Sequence, residues 1–284
     1  MKQTLCSVAS NVEIMPGIHL MWIEAPDIAV AAQPGQFITV RCGDLTLRRP
    51  FSVHQVSPQE IALLFKIAGK GTLWLSQRQT GERLDVLGPL GKGFSIESGA
   101  RNLLLVAGGI GIAPLVFLMQ YATSQHQITL IHGASTAALL YPFSSLSFTP
   151  DLSPLMGEGK GEDEEQSKLS PLPAGVQFVP VTEDGSTGKK GMATDIMPDF
   201  LDWADQVYAC GPADMYKTMA EMSWRAKQSN LKLRKCQVSL EVRMGCGFGA
   251  CYSCTINTEK GLKQVCRDGS VFELDDIIWR EVRI

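Results

Sequence analysis

Hydrophobic residues in the first third of the chain lie in short runs that are separated by polar turn sequences. Six such runs, rich in β-branched, aliphatic and aromatic residues, are separated by pairs such as Pro-Gly, Gly-Asp, Ser-Pro and Thr-Gly. This rhythm is typical of a small barrel or sandwich, because each run suits one strand and each pair favours a turn. Residues 1–98 are therefore predicted to form an all-β domain, with strands at residues 8–14, 19–23, 36–41, 51–56, 61–67 and 83–87.

The pattern changes after residue 98. Residues 102–109 are an apolar run that ends in glycines, as in a buried parallel strand. A glycine loop follows, and Pro114 suits the first turn of a helix that continues to about Thr123. This strand–loop–helix unit can place a pyrophosphate at a helix start, although it lacks the full Gly-x-Gly-x-x-Gly fingerprint. Residues 99–235 are predicted to form an α/β domain with a parallel sheet, with further strands at 127–132, 176–181 and 206–209 and a helix at about 213–228.

One segment of this domain differs in composition from the rest. Residues 149–173 have little to bury, and Glu162–Glu165 give the segment an acidic centre. Such a composition predicts a disordered insertion ahead of the next strand. An acidic docking segment is the alternative interpretation.

The last part of the chain, residues 236–284, carries a cysteine-rich loop between predicted strands at residues 236–243, 254–257 and 263–266. Cys246, Cys251, Cys254 and Cys266 follow one another with gaps of four, two and eleven residues. The first three match the Cys-x4-Cys-x2-Cys run of a plant-type [2Fe–2S] loop. A domain this small has little core of its own, so the metal centre is expected to support its fold.

Disulfide bonds and a zinc site are the two other interpretations of these cysteines. Disulfides are disfavoured, because no secretory signal precedes the chain and a cytosolic pool keeps thiols reduced. Zinc is the stronger rival, since four cysteines also bind zinc. Zinc sites usually show two Cys-x2-Cys pairs, whereas this loop has one pair, a preceding four-residue gap and interleaved glycines.

Composition narrows the functional classes. The chain has 284 residues, enough for two or three small domains, and 45% hydrophobic and 19% charged residues indicate a globular protein. The net charge is −3 and no cluster of basic residues is evident, which argues against nucleic acid as a partner. The N-terminus lacks a signal or membrane segment, so a cytoplasmic location without a membrane partner is expected.

The order of the short motifs is more specific than any one of them. A barrel with Arg-Pro-Phe-Ser precedes an α/β domain with Gly-Gly-x-Gly-x-Ala-Pro and Cys-Gly-Pro, and the cysteine loop follows. This order resembles the ferredoxin–NADP reductase superfamily, and in particular the electron-transfer subunits of class 1B dihydroorotate dehydrogenases. The motifs that carry the resemblance are residues 49–52, 69–72, 108–114, 183–188, 191–195, 210–212 and 239–251.

The resemblance implies a multidomain β and α/β fold. Its parts are an N-terminal antiparallel β-barrel that binds FAD, a central parallel-sheet domain that binds NAD, and a small C-terminal [2Fe–2S] domain. It implies FAD contacts at Arg49, Pro50, Phe51, Ser52, Leu64, Phe65, Lys66, Gly71 and Thr72. It implies dinucleotide contacts at Gly108, Gly109, Gly111, Ala113, Pro114, Gly211 and Pro212, with Cys246, Cys251, Cys254 and Cys266 as cluster ligands.

Two residues take catalytic positions under the same resemblance. Ser52 is expected near the flavin N5 edge, and Cys210 beside the nicotinamide, where a small side chain lets the reacting carbon approach the flavin. An ordinary buried cysteine at a strand end is the alternative for Cys210. The four histidines match no motif and are assigned no catalytic role.

The resemblance also implies a function. An FMN-containing dihydroorotate dehydrogenase catalytic subunit would supply electrons, which would pass through the cluster and FAD to NAD⁺ in a heterotetramer of two plus two subunits. A related NAD(P)H-linked FAD/[2Fe–2S] subunit that serves ferredoxin, sulfur or hydrogenase partners is the second hypothesis. A flavin-free structural or metal-binding protein is the third.

Overall fold

Six antiparallel strands close the N-terminal part of the chain into a barrel. The structure is a computed structural model, and it describes residues 1–144, 169–228 and 235–282. The strands are β1 (Lys2–Met15), β2 (Ile18–Glu24), β3 (Phe37–Val40), β4 (Arg49–Val56), β5 (Glu60–Lys66) and β6 (Arg83–Leu90). Their order around the barrel is β1-β2-β5-β4-β3-β6, and two short helices, α1 (Pro26–Ala31) and α2 (Lys70–Ser76), connect them. The predicted antiparallel barrel is thereby confirmed.

A seven-stranded sheet follows the barrel. Its strands are β7 (Asn102–Gly108), β8 (Gln127–Ala134), β9 (Val176–Thr182), β10 (Lys189–Lys190), β11 (Gln206–Cys210), β12 (Lys235–Ser239) and β15 (Val271–Glu273). Their order is β10-β9-β8-β7-β11-β12-β15, and all neighbours are parallel except β15, which runs antiparallel to β12. The central strands are buried along most of their length, as the apolar runs of the sequence predicted.

We refer to the region beyond the carboxyl ends of β7 and β11, where the strand order reverses, as the crevice. From β7, the chain continues to β8 and β9 on one side, while β11 pairs with β7 on the other side. In open parallel sheets, ligands bind where the order reverses, beyond the carboxyl ends of the strands. The glycine loop after β7 and the Cys210 end of β11 meet at this position.

Five helices accompany the sheet and the cysteine loop among the described residues. They are α3 (Ile112–Ala122), α4 (Ala193–Ile196), α5 (Pro198–Leu201), α6 (Ala213–Gln228) and α7 (Val265–Asp268). Helix α3 begins two residues earlier than Pro114, and α6 has the bounds that the sequence predicted. Within the described ranges, no helix has the length and apolar character needed to cross a membrane.

The C-terminal segment differs from its sequence prediction. The strand expected at 236–243 ends at Ser239, because β12 lies in the parallel sheet beside β11 and the chain then turns into the cysteine loop. The backbone N–H of Leu240 donates to the carbonyl of Ser270 at 2.9 Å, which fixes this turn. Strand β15 returns to pair with β12. The only other strand pair described in this segment is the hairpin β13 (Thr255–Thr258) and β14 (Gly261–Gln264).

Most of the predicted insertion at 149–173 lies outside the described residues. Its last part, from Leu169 onward, packs against the rest of the protein. Ser170 is buried, its hydroxyl accepts a hydrogen bond from Nε2 of Gln120 at 2.8 Å, and Leu169 and Leu172 contact the core. These residues are therefore part of the folded domain.

Candidate redox site

The outer face of strand β4 carries two of the expected flavin residues. Phe51 and Val53 point into the barrel core, so the alternation of a strand places Pro50 and Ser52 on the opposite, outward face. In the ladder between β3 and β4, Thr39 lies opposite Pro50 and Phe37 lies opposite Ser52. The expected flavin residues Pro50 and Ser52 are thus held on a rigid strand rather than on a loop.

Arg49 lies over the turn that begins α2. A Cβ atom on Gly71 would come within 2.9 Å of Nε of Arg49, so the lack of a side chain at Gly71 lets the Arg49 side chain lie close to this turn. The Nη1 group of Arg49 donates to the carbonyl of Leu47 at 2.6 Å, which leaves the guanidinium further N–H donors. A planar guanidinium in this position suits a pair of phosphate oxygens.

The hydroxyl of Thr72 is engaged within the same turn. It accepts hydrogen bonds from the backbone N–H groups of Ala68 at 2.8 Å and Gly69 at 3.1 Å. The resemblance implied that this hydroxyl would contact a phosphate. These hydrogen bonds hold the turn that begins α2, and the phosphate contact stays a prediction.

Strand β5 places three expected flavin residues on different faces. The ring of Phe65 points into the barrel, 5.7 Å from the ring of Phe51 and 5.5 Å from that of His19. Leu64 packs in the core between barrel and sheet, and Lys66 is exposed. Leu64 and Lys66 therefore share the outward face with Ser52, and Phe65 is available to a flavin only through its backbone.

The glycines at the crevice are required by close packing of two loops. A Cβ on Gly111 would lie 2.1 Å from the carbonyl oxygen of Cys210, and one on Gly108 would lie 2.7 Å from Cδ of Pro212. A Cβ on Gly211 would meet Cε of Met215 at 2.6 Å. The loops after β7 and β11 thus touch backbone to backbone. This arrangement brings the sequence-predicted residues 108–114 and 210–212 together.

Cys210 and Glu241 share one environment at the crevice. Cys210 is almost fully buried, and burial together with the charge of Glu241 raises the pKa of its thiol well above the ordinary value. The surrounding protein raises the pKa of the Glu241 carboxyl as well. Glu241 lies within the motif at residues 239–251, but the sequence pattern assigned it no role. A neutral thiol at Cys210 fits a role in shape and polarity rather than as a nucleophile.

A buried network of two histidines and one tyrosine supports the glycine loop. Nδ1 of His54 lies 2.8 Å from the carbonyl of Ala113, and its Nε2 lies 3.0 Å from the hydroxyl of Tyr141. Nε2 of His132 lies 3.1 Å from the carbonyl of Gly109, and its Nδ1 accepts from the Tyr141 backbone N–H at 3.4 Å. The carbonyl partners indicate that His54 donates from Nδ1 and His132 donates from Nε2. The network joins both ends of the glycine loop to the strand that carries Ser52.

This network predicts an acid-sensitive fold. Burial lowers the pKa of both His54 and His132 from 6.5 to about 4. The unfolded chain binds more protons than the folded chain between these values, so stability is full above pH 6.5 and falls as the pH drops towards 4. When the pH falls from 7 to 5, each imidazole is expected to lower the free energy of unfolding by roughly 2 kcal/mol. Urea unfolding at the two pH values measures this loss.

A variant isolates the histidine contribution from that of other groups. Glu241 and Glu273 have raised pKa values and act in the opposite direction on acidification. A His132→Gln variant keeps an amide donor and acceptor but does not titrate. The loss of unfolding free energy between pH 7 and pH 5 should therefore be smaller by roughly 2 kcal/mol in the variant than in the wild-type protein. An unchanged difference would contradict the assignment of a neutral, buried His132.

The four loop cysteines form two pairs. The Sγ atoms of Cys254 and Cys266 are 3.2 Å apart, and the backbone N–H of Cys246 donates to Sγ of Cys251 at 3.3 Å. Across the residues that the structure describes, no three metal-ligating side chains converge on a single point. Two thiolate pairs suit two irons better than a single four-coordinate zinc ion.

The loop backbone also prepares the sulfurs as ligands. The N–H groups of Phe248 and Ala250 donate to Sγ of Cys246 at 3.5 and 3.2 Å. The Ser253 hydroxyl lies 3.1 Å from Sγ of Cys251, and hydrogen bonds from Ser253 and Cys246 lower the pKa of Cys251 to about 6. Hydrogen bonds of this kind favour the thiolate, which is the form that binds iron. The donor set therefore fits an iron–sulfur cluster.

The cysteine loop lies against the barrel on one side and is exposed on the other. A Cβ on Gly247, whose φ is +81°, would lie 2.8 Å from Cγ2 of Thr39 on β3. Phe248 and Tyr252 expose 47% and 68% of their surface. The loop thus contacts strand β3, which pairs with β4, and presents two aromatic side chains outward.

Comparisons with known proteins agree with this geometry. Residues 241–278 match the family model described as the iron–sulfur cluster binding domain of dihydroorotate dehydrogenase B. The electron transfer subunit of dihydroorotate dehydrogenase B (NAD⁺) from Desulforamulus reducens is 37% identical over 278 residues, with 94% of each chain covered. The subunit of the same name from Caldanaerobacter subterraneus is 36% identical over 251 residues, with 87% of each chain covered.

A solved structure shares the fold over nearly the whole chain. It is that of an NADH-dependent reduced ferredoxin–NADP oxidoreductase studied for flavin-based electron bifurcation. The two chains are 27% identical, the TM-score is 0.76, and the match covers 98% of this chain and 91% of the other. The barrel, the parallel sheet and the cysteine segment therefore recur together in a known oxidoreductase.

Proposed function

Because the chain belongs to the family of dihydroorotate dehydrogenase B electron transfer subunits, we propose that it carries electrons from a dihydroorotate-oxidising partner to NAD⁺. The observation that carries the proposal is the contact between Thr39 and Gly247. Thr39 lies opposite Pro50 on the flavin-facing strand, and Gly247 lies between two of the cluster cysteines. One contact thus joins the proposed cluster site to the proposed flavin site. An electron has a short path between them.

The barrel is proposed to hold FAD. Arg49 binds the pyrophosphate, Gly71 leaves room for the guanidinium, and Thr72 shapes the turn beneath it. Pro50 and Ser52 face the isoalloxazine, and Leu64 and Lys66 lie on the same outward side. The backbone of Phe51 and Phe65 completes the surface. A bound flavin supplies the exchange between single electrons and a hydride.

The crevice at the carboxyl ends of β7 and β11 is proposed to hold NAD⁺. The loop that contains Gly108, Gly109, Gly111, Ala113 and Pro114 cradles the dinucleotide, and Gly211 and Pro212 form the opposite wall. Cys210 lies at the centre of the crevice, where its small neutral side chain leaves room for the nicotinamide. The buried network through His54 and His132 holds this loop against the strand that carries Ser52.

The exposed side of the cysteine loop is proposed to dock the catalytic partner. Phe248 and Tyr252 are large apolar side chains in solvent beside the exposed Cys251. Aromatic residues in such positions are favoured at protein interfaces. We propose an FMN-containing dihydroorotate dehydrogenase as the partner, in an assembly of two chains of each kind.

The proposed location is the cytoplasm. All eight cysteines are free, and the reducing cytoplasm keeps thiols in this state.

A second function is favoured by one observation. The solved structure at 27% identity belongs to an NADH-dependent reduced ferredoxin–NADP oxidoreductase, and it covers as much of this chain as the dihydroorotate dehydrogenase relatives do. A ferredoxin-linked reductase subunit uses the same modules. The higher identity of the dihydroorotate dehydrogenase subunits, at 37% against 27%, favours the first function.

Coexpression with an FMN-containing dihydroorotate dehydrogenase catalytic subunit tests the proposal. The purified complex is expected to form NADH from dihydroorotate and NAD⁺, whereas neither subunit alone does so. Iron, acid-labile sulfide and FAD are measured on the same sample. A complex that holds all three groups and reduces ferredoxin with NADH, but does not oxidise dihydroorotate, would establish the second function instead.

A further inference from the structure

Thr39 carries a buried hydroxyl for which the described part of the chain provides no partner. The residue is 1% exposed, and its Oγ1 has no hydrogen bond to any described residue. Burying a hydroxyl without a partner costs about 1–3 kcal/mol, and such groups are rare in folded proteins. A valine of the same shape would avoid this cost. The hydroxyl therefore points to a ligand that completes the site.

The position of Thr39 limits which ligand this is. Its neighbours on β3, Ile38 and Val40, point into the barrel core, so Thr39 points outward on the same face as Pro50. On that face its methyl group contacts Gly247, which separates the cluster cysteines Cys246 and Cys251 in the sequence. Thr39 thus lies on β3, between Pro50 of the flavin-facing strand β4 and Gly247 of the cysteine loop.

The cysteine sulfurs of the loop are not the partner. All four are described, and their recorded hydrogen bonds run to the loop backbone, to Ser253 and to each other. None of them forms a hydrogen bond with the Thr39 hydroxyl. The remaining acceptors at this position are those that a bound cofactor would supply. Inorganic sulfide is such an acceptor.

We propose that the hydroxyl of Thr39 donates a hydrogen bond to an inorganic sulfide of the iron–sulfur cluster and thereby raises its reduction potential. The inference rests on the proposed function, because it requires the cluster to be bound. Reduction adds negative charge to the cluster, and a donor to its sulfur stabilises that charge. Thr39 is therefore a positioning residue that sets the driving force for electron transfer between cluster and flavin.

Two variants of Thr39 separate the hydroxyl from the methyl group. Thr39→Val removes the hydroxyl at nearly constant volume, and Thr39→Ser keeps the hydroxyl but removes the methyl that contacts Gly247. In the full chain, the valine variant is expected to keep its iron, acid-labile sulfide and FAD. Its cluster midpoint potential should become more negative in a redox titration, and the EPR spectrum of the reduced cluster should change. The serine variant should have the midpoint potential and the EPR spectrum of the wild-type protein.

Three results would overturn the proposal. The first is a valine variant with the wild-type potential and EPR spectrum. The second is a serine variant that shifts as far as the valine variant, which would assign the effect to methyl packing. The third is a valine variant in which only the flavin potential moves, which would assign the hydroxyl to the flavin. If the valine variant does not fold, Thr39→Ala replaces it, since a smaller side chain adds no clash. Wild-type protein that lacks iron and sulfide would instead refute the proposed function.

Discussion

The Cys251→Ser variant is expected to lose its iron–sulfur cluster while it keeps FAD. Cys251 pairs with Cys246 in the loop, and its lowered pKa of about 6 favours the thiolate that iron requires. The proposed flavin residues lie on the barrel, whose strands close a core of their own. Iron, acid-labile sulfide and the EPR signal of the reduced cluster should disappear, whereas the flavin absorbance should remain. Electron transfer from the catalytic partner to NAD⁺ should stop.

A second cysteine variant provides the matched control. Cys6 is buried in the barrel core, away from the loop, and burial raises the pKa of its thiol to about 11. Cys6→Ala should therefore keep the cluster and lose only packing stability. Unchanged iron and sulfide in Cys251→Ser would refute the ligand assignment. Stoichiometric zinc in the wild-type protein would refute the cluster itself.

The Gly111→Ala variant is expected to lose most of its reaction with NADH. The new Cβ would lie 2.1 Å from the carbonyl oxygen of Cys210 and 2.7 Å from the backbone nitrogen of Gly211. Because both neighbours are backbone, the two loops must separate. A displacement of about 1 Å in a reacting geometry costs on the order of a hundredfold in rate. The value of kcat/KM for NADH-dependent reduction of ferricyanide should therefore fall about a hundredfold.

The control for this substitution is Gly99→Ala. Gly99 has a φ of +94°, and a Cβ there would have no atom within 4 Å. Alanine at this position therefore strains the backbone without closing the crevice. Gly99→Ala should lower stability by roughly 1 kcal/mol and leave the NADH kinetics unchanged. Equal kinetic losses in the two variants would show that the contact between Gly111 and Cys210 is not the cause.

Sequence patterns predicted the secondary structure well where strands and helices are buried and regular. The apolar run before Gly108 became a central parallel strand, and helix α6 (Ala213–Gln228) has its predicted bounds. The prediction failed after Ser239, where an extended strand to residue 243 was expected. Local composition cannot show that β12 ends when its partner β11 ends. That limit is set by pairing between segments distant in the chain.

The four cysteines illustrate what local spacing can establish. Cys246, Cys251 and Cys254 lie within nine residues, so the loop that holds them is encoded locally. Cys266 joins them because the hairpin of β13 and β14 folds back beside the loop. The spacing therefore indicated the kind of metal centre, and the structure shows how the four cysteines pair.

The amino-acid sequence by itself determined the order of the three modules, the cysteine spacing and the glycines of the crevice, because these depend on neighbouring residues. Only the tertiary structure decided that Thr39 contacts Gly247, that His54 and His132 support the glycine loop, and that Glu241 lies beside Cys210. Thr39, His54 and His132 belong to none of the motifs. Their roles arise from contacts between segments far apart in the chain, which are selected by the burial of the whole core rather than by any local pattern.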